Sequence, residues 1–421
     1  MRFSKSTIYN SLLVFFLAII CVSGNGFLNW YKMEYIYIIT VLLLFGQHSR
    51  YTSIYKSDLK YCLPAIFILV SLGWSISKND TLLYLGLYCF GVCVILRKYD
   101  DKFYNYLLKI FKYVALAVAA SILLSVLIPR LASIIIGIFM YPISPGNATQ
   151  KALIAIQSGS YYGISGEKAK AAFAMAIGLI IYICEYFLGK KMKRTDLGCI
   201  IILLVSLMLT GKRMEFLVPI VFFLLVFFIM RGKNKFAKLC GIVLVGIIVL
   251  FILPYIVPQT SLVINRFLDS GSDNFVNGRD VLWEYALEMF RDNPLVGQGY
   301  GTYNHYIDNT SFVAYTGESE WNYHAHSIYF QIIGECGIVG ILIWLSIYIG
   351  TFVKLIVKLR KKSFNEYTLY AVGFLVLILF YGLSANTLYY IDELVFSFVA
   401  LVFARKSLKI APEGNTEDVS K

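Results

Sequence analysis

Long apolar runs separated by short polar segments recur from one end of the 421-residue chain to the other. A helical run of about twenty residues, at about 1.5 Å per residue, crosses a hydrocarbon core about 30 Å thick. The pattern predicts about twelve membrane-spanning helices: 7–24, 34–47, 60–77, 80–96, 110–128, 169–189, 196–210, 214–230, 237–257, 327–353, 367–385 and 389–404. Residues 131–143 are apolar but too short to cross, so we expect them to lie along the membrane surface or to re-enter it.

Composition supports this interpretation, because 58% of the residues are hydrophobic and only 15% are charged. A water-soluble core cannot bury that much apolar surface, which favours an all-α integral membrane protein forming one domain over residues 1–421. Lys and Arg concentrate in alternate short loops, as is typical of the cytoplasmic side. We therefore expect an inner-membrane protein with both termini in the cytoplasm, and we interpret the net charge of +13 as a topology signal rather than a nucleic-acid surface.

Two segments interrupt the series of short loops, 129–168 and the longer 258–326, and the predicted topology places both in the periplasm. Function is often located in such insertions. In the longer loop, Asn277 can cap a helix that begins at Gly278 and carries an apolar stripe at helical spacing. Acidic residues outnumber basic ones in this loop, so Arg279 is conspicuous there.

The sequence TGKR places Lys212 and Arg213 in the turn between the predicted spans seven and eight, against the positive-inside trend. Arginine grips phosphate oxygens through a bidentate fork, which predicts an anion site. Arg279 falls in the first turn of the loop helix, where free backbone N–H groups also favour anions. The alternatives are a snorkelling pair that answers Glu215 or lipid headgroups, and a salt bridge from Arg279 to a loop carboxylate.

His326 lies where the long loop re-enters the membrane, and histidine is suited to act as a general base near neutral pH. The alternative is an interfacial histidine bonded to a backbone carbonyl. His324 and His326 lack an evident third ligand at metal-binding spacing. The aromatic side chains crowded into the loop, among them Trp283 and Tyr300, fit either carbohydrate contact or core packing.

Other chemistry is not supported by the sequence. The eight cysteines fall in or against predicted spans and form no disulfide framework or CxxC motif. No GxxxxGK[ST] motif is present, so ATP-driven transport by this chain is not expected.

Three stretches resemble the bacterial O-antigen polymerase and O-antigen ligase superfamily. GRDVLWEYALEMFRDNPLVGQGYGTYNHY is similar to its Arg, Trp and Pro-x-x-Gly-x-Gly signature in a large periplasmic loop. HSIYFQIIGECGIVG is similar to its His-Asn, Glu and Gly-Ile-x-Gly segment, and TGKRMEFL to its short Ser-Arg turn. The chain departs from the family pattern in having Lys212 where serine is usual and Ser327 where asparagine is usual.

The resemblance implies glycosyl transfer at the periplasmic face from a saccharide on undecaprenyl diphosphate, without a metal or cofactor. Arg213 and Arg279, with Lys212, would hold the diphosphate, and His326 would take a proton from the acceptor hydroxyl. Trp283, Tyr300 and His324 complete the predicted substrate-binding set. The leading hypothesis is a polymerase of O antigen or capsule, with membrane lipids and a chain-length regulator as further partners.

Two other hypotheses remain open at the level of the sequence. A ligase that transfers the finished chain to lipid A core shares the same motifs. A flippase or transporter needs ionisable residues along a path through the spans. The candidates for such a path, Glu185, Glu215 and the pair Asp392 and Glu393, all fall near the ends of predicted spans.

Overall fold

A computed structural model describes residues 5–22, 39–41, 43–44, 56–140, 146–230, 279–308 and 324–409. These residues form helices and connecting loops, with no β-strand among them, which confirms the all-α prediction for this part of the chain. The predicted span 237–257 lies outside the described residues, and so does most of 34–47.

The described helices are numbered here in chain order. They are α1 (Lys5–Val22), α2 (Leu63–Ser71), α3 (Lys78–Leu96), α4 (Asp101–Leu127), α5 (Pro129–Met140), α6 (Ala148–Gln157), α7 (Lys168–Phe187), α8 (Arg194–Leu209), α9 (Arg213–Ile229), α10 (Arg279–Asp292), α11 (Tyr303–Asp308), α12 (Ile328–Arg360), α13 (Glu366–Tyr381) and α14 (Ile391–Lys409). Within the described ranges, four helices are long and apolar enough to cross a membrane, namely α3, α4, α7 and α12.

Several boundaries differ from those predicted by hydropathy. The predicted span 60–77 divides into a 3₁₀ segment, Lys56–Cys62, and the short helix α2, which has proline in its first turn. Helix α4 begins before its apolar run, because the Asp100 carboxylate caps it by accepting the Phe103 N–H at 2.9 Å. The apolar stretch at 131–143 forms the 12-residue helix α5, which packs against α6.

The core of the bundle is built around α7, α13 and α14. Helix α7 is buried along most of its length and packs against α4, α9 and α13. Its many alanines and Gly178 allow close approach, since a Cβ added to Gly178 would lie 2.6 Å from the Ala115 side chain. Edge-to-face rings of Phe173, Phe374 and Phe396 fill the space between these three helices.

The loop helix α10 lies against the first turns of α12. Its apolar stripe is confirmed in part, because Ala286 and Met289 are fully buried, while Asn277 and Gly278 lie outside the described residues. Gly334 permits the contact, since a Cβ there would meet the Ala286 carbonyl oxygen at 2.6 Å. This packing fixes the position of Arg279 relative to the start of α12.

Candidate active site

A cavity of about 1020 Å³ opens at one end of the bundle, where α7, α9 and α14 begin and where α8 and α13 end. The start of α10 and the residues before α12 complete its wall. Five residues that the sequence singled out line this cavity together: Lys212, Arg213, Arg279, Trp283 and His326. The fold thus unites the three motif-bearing segments in one site.

The cationic side of the cavity comes from two helix starts. Gly211, with φ of 70°, turns the chain between α8 and α9, so that Lys212 and Arg213 stand at the beginning of α9. Arg279 stands at the beginning of α10. Within the described part of the chain, neither Arg279 nor Lys212 forms an ion pair, so the alternative of a salt bridge between Arg279 and a described loop carboxylate is not observed.

His326 faces these cations from the turn that precedes α12. Its φ of 49° is unusual for a residue with a side chain, and such strain concentrates at functional sites. The turn is held because the Ile328 N–H donates to the Gly382 carbonyl at 3.0 Å and the Ala325 N–H donates to Gln331 Oε1 at 3.2 Å. Among the described residues, no partner hydrogen-bonds the His326 ring.

The electrostatic environment favours neutral His326. Partial burial lowers the pKa of His326, and the positive charges of Arg279 and Lys212 lower it further. At neutral pH the imidazole therefore lacks the second proton and is able to accept one. Arg279 and Lys212, the residues predicted to bind an anion, line the same cavity as His326 and lie close enough to act on its pKa.

The part of the cavity lining around Lys170 was not predicted as part of the site. Lys170, near the start of α7, is buried and donates to Asp392 at 2.8 Å and to Glu393 at 3.0 Å. Its ammonium group also lies 4.4 Å from the Tyr390 ring centroid. A signal was present in the sequence, because Lys168 and Lys170 break the positive-inside trend just as Lys212 and Arg213 do.

Trp283 borders the cavity from α10. Its ring stacks on Phe330 with 4.9 Å between the ring centroids and 10° between the planes. The indole Nε1 is buried and has no hydrogen-bond partner in the part of the chain that the structure describes. The tryptophan thus offers the cavity an apolar face and an unused donor.

Tyr300, predicted as a sugar contact, is not among the residues that line this cavity. It is fully buried, stacked on Tyr389 at 4.7 Å and on Trp344 at 5.1 Å between ring centroids. Its hydroxyl donates to the Leu388 carbonyl at 2.8 Å and lies 3.0 Å from the Tyr88 hydroxyl. Tyr300 is therefore a core residue, because its ring stacks on two aromatic neighbours and its hydroxyl has hydrogen-bond partners there.

His324 is also not among the cavity-lining residues. Its ring makes an edge contact with Tyr390, which does line the cavity, at 5.0 Å between ring centroids. Burial lowers the pKa of His324 to about 4, with a smaller contribution from the charge of His326. His324 thus contacts a ring that lines the cavity without lining the cavity itself.

A kink in α12 anchors the loop that carries the Pro-x-x-Gly-x-Gly motif. At Gly337 the backbone leaves helical geometry, with φ of 61° and ψ of −163°. The N–H groups of Ile338 and Val339 then donate to the carbonyls of Pro294 and Leu295 at 2.9 and 3.0 Å. Carbonyl groups of the motif segment thus accept the hydrogen bonds that carbonyls of α12 would accept in an unbroken helix.

Glu335, two residues before the kink, completes this anchor. Its fully buried carboxylate accepts hydrogen bonds from the N–H groups of Gly301 and Tyr303, at 2.7 and 2.9 Å. It also accepts from the Tyr389 hydroxyl at 2.7 Å and from Gln331 Nε2 at 3.2 Å. One carboxylate therefore ties α12 to the loop after α10 and to the segment before α14, which positions the cavity walls.

We expect Gly337→Ala to destabilise the fold by about 2 kcal/mol or more, because left-handed backbone strain adds to a steric clash. An added Cβ would lie 2.6 Å from the Leu295 carbonyl. Gly350→Ala is the matched control in the same helix, since nothing lies within 4 Å of its added Cβ. It should be neutral or stabilise by up to about 1 kcal/mol. Thermal unfolding of the purified proteins in detergent measures the difference, and equal melting temperatures would contradict the anchoring role.

Comparison with known proteins agrees with the motifs. Residues 198–345 match the sequence model of the O-antigen ligase family, and this range includes Lys212, Arg213, Arg279 and His326. The chain is 24% identical over 138 residues to the exopolysaccharide production protein ExoQ of Rhizobium meliloti (strain 1021), an alignment that covers 31% of each chain. The aligned part is thus about a third of that relative's length.

The described residues form a helical bundle with four helices long and apolar enough to cross a membrane and with a polar site at one end. The motifs and the two matches support one family, that of the O-antigen ligases and polymerases, whose sequence model matches residues 198–345 of this chain.

Proposed function

We propose that this protein is a polysaccharide polymerase that joins undecaprenyl-diphosphate-linked oligosaccharide repeat units at the periplasmic face of the inner membrane. The observation that supports this most strongly is the cavity in which Lys212, Arg213 and Arg279 share a wall with neutral His326. A diphosphate is the ligand that such a set of cations favours, and a neutral imidazole is the base that an acceptor hydroxyl requires.

The cations act on the leaving group. In the transfer step the bond between the anomeric carbon and the diphosphate oxygen breaks, and its electron pair leaves with undecaprenyl diphosphate. Negative charge therefore grows on the leaving oxygen. Arg279 and Lys212 have no described ion-pair partners to neutralise them, so they are available to stabilise that charge.

His326 acts on the acceptor. The acceptor hydroxyl attacks the anomeric carbon, the new glycosidic bond forms, and the imidazole takes the hydroxyl proton. The lowered pKa keeps the imidazole unprotonated and ready for this task at neutral pH. No metal or cofactor is required for the balance of the step.

Sidedness follows from the charge bias of the sequence. Lys and Arg are concentrated in the alternate loops that we assign to the cytoplasm, which places loops 129–168 and 258–326 in the periplasm. The cavity, bordered by α10 and by His326, then faces the periplasm. A chain-length regulator is a further proposed partner, and the product is O antigen or capsule.

The decisive experiment supplies purified protein with lipid-linked repeat units isolated from cells that lack it. We expect a ladder of longer lipid-linked saccharides in the absence of lipid A core. A product that forms only when lipid A core is added would instead identify a ligase, whose motifs are the same. Repeats that cross a vesicle membrane without forming a new glycosidic bond would identify a flippase.

A change at Lys212 tests the electrostatic coupling to His326. The positive charge of Lys212 contributes to the lowered pKa of His326, so Lys212→Ser should raise that pKa towards its ordinary value. Because the base must be neutral, the acid limb of the pH-rate profile should move to higher pH. We expect a milder loss of rate than for the arginines, roughly several-fold, since Arg213 remains.

The control for this change is Lys191→Ser, in an exposed turn outside the cavity. It should leave both the rate and the acid limb unchanged. An unshifted acid limb in Lys212→Ser, or a complete loss of activity there, would show that Lys212 acts differently from this proposal.

A further inference from the structure

The cavity that holds the three cations also contains two buried glutamates. We call the part of its lining that is formed by Glu215, Glu393, Lys170 and Tyr390 the carboxylate wall. Both glutamates are almost fully buried, with exposed fractions of 2% and 1%. Burying a carboxylate is costly unless its oxygens are hydrogen-bonded, so each free oxygen requires an explanation.

Glu393 is held in a fixed orientation with one oxygen left over. Its Oε1 accepts from the Lys170 ammonium at 3.0 Å, and the same ammonium donates to Asp392 at 2.8 Å. Its Oε2 is buried and has no hydrogen-bond partner among the residues that the structure describes. Lys170 therefore orients the carboxylate, and the remaining oxygen is an unused acceptor at the cavity wall.

Glu215, on α9, also has a carboxylate oxygen without a described hydrogen-bond partner. It lies in the first turn of α9, and its Oε1 is buried without a hydrogen-bond partner in the described ranges. Trp283 Nε1, also on the cavity, is an unpaired buried donor in the same part of the chain. One cavity thus holds two unused acceptors and one unused donor, which is the pattern of a polar binding site awaiting its ligand.

We infer that the carboxylate wall binds hydroxyl groups of the acceptor saccharide, and this inference rests on the proposed function. Carboxylates accept hydrogen bonds from sugar hydroxyls, whereas the cations Lys212, Arg213 and Arg279 favour the diphosphate. Sugar rings also present apolar C–H faces, which suit the rings of Trp283 and Tyr390. Among the described residues, no group of three or more His, Cys, Asp and Glu side chains is arranged to hold a metal ion.

The cations and the carboxylate wall assign different parts of the cavity to the donor and to the acceptor. The diphosphate of the donor lies on Arg279, Lys212 and Arg213, while the acceptor sugar lies on Glu215 and Glu393. His326 borders the same cavity and receives the proton of the attacking hydroxyl. The glutamates are positioning and specificity-determining residues, because they hold the acceptor without taking part in bond exchange.

The test is to measure two binding reactions separately by calorimetry in detergent. One probe is undecaprenyl diphosphate without sugar, and the other is the free oligosaccharide repeat released from the carrier by mild acid. Glu215→Gln and Glu393→Gln should each weaken oligosaccharide binding about tenfold, because each change weakens a hydrogen bond to a charged group. Both variants should bind undecaprenyl diphosphate within twofold of wild type, which also reports that they are folded.

Glu185→Gln is the matched control, since Glu185 pairs with Lys112 at 2.8 Å and does not line the cavity. It should bind both probes as wild type does. Oligosaccharide binding that is undetectable in wild type, or unchanged in both cavity variants, would overturn the inference. Failure of wild type to form polymer from lipid-linked repeats would overturn the proposed function instead, so the two failures are distinguishable.

Discussion

Arg279→Ala is expected to abolish polymer formation while leaving the amount of protein in the membrane unchanged. The side chain stands at the start of α10 and lines the cavity without an ion-pair partner among the described residues. Its removal therefore breaks no described ion pair and should leave the fold intact. Loss of one preorganised group that stabilises transition-state charge costs about 10² to 10³ in rate, which in a cellular assay reads as loss of polymer.

The same helix provides the control for this prediction. Arg291 lies in the last turn of α10, is exposed and pairs with Glu284 at 2.7 Å, so Arg291→Ala should retain wild-type polymer length. Arg279→Lys should be intermediate, because lysine keeps the charge and loses the bidentate fork. The measurement is polymer length on gels, normalised to membrane protein. Wild-type polymer in Arg279→Ala would remove this arginine from the mechanism.

The sequence predicted the helices and the cationic side of the site for physical reasons. Apolar runs long enough to cross a membrane must satisfy their backbone internally, so their helical state follows from composition alone. Cations placed against the positive-inside trend need a partner, and this singled out Lys212, Arg213 and Arg279. The structure brings these residues and His326 to one cavity although they lie on separate segments.

Other parts of the site depend on contacts between distant segments, which composition does not reveal. Tyr300 was expected to contact sugar, but stacking on Tyr389 and Trp344 draws it into the core. The break at Gly337 resembled an ordinary glycine in an apolar helix, and only the approach of Pro294 and Leu295 explains it.

The carboxylate wall escaped prediction for the same reason. Glu215 was considered as a partner of Lys212 and Arg213 and, with the pair Asp392 and Glu393, as a candidate for a transport path. The pairing of Asp392 and Glu393 with Lys170, which joins the starts of α7 and α14, requires the folded bundle. The sequence did contain one indication of this part of the site, because Lys170 lies near the predicted periplasmic start of a span, against the positive-inside trend.

His326→Asn should also abolish polymer formation, and it tests chemistry without changing the backbone. His326 occupies the left-handed region with φ of 49°, which asparagine tolerates better than alanine does. Asparagine cannot accept the acceptor proton, so loss of activity in His326→Asn reports loss of the base rather than strain. General-base catalysis contributes about 10² to 10⁴ in rate, and the loss should fall in that range.

The pH dependence and chemical rescue separate this role from a structural one. In wild type, burial and the charges of Arg279 and Lys212 lower the pKa of His326, so the acid limb of the rate should lie below the ordinary histidine value of about 6.5. Residual activity in His326→Ala should lose that limb and rise when imidazole is added as a replacement base. His305→Ala, at an exposed position on α11 outside the cavity, should behave as wild type. An acid limb that persists in both His326 variants would assign the base to another group, and the carboxylates that line the same cavity are those of Glu167, Glu215 and Glu393.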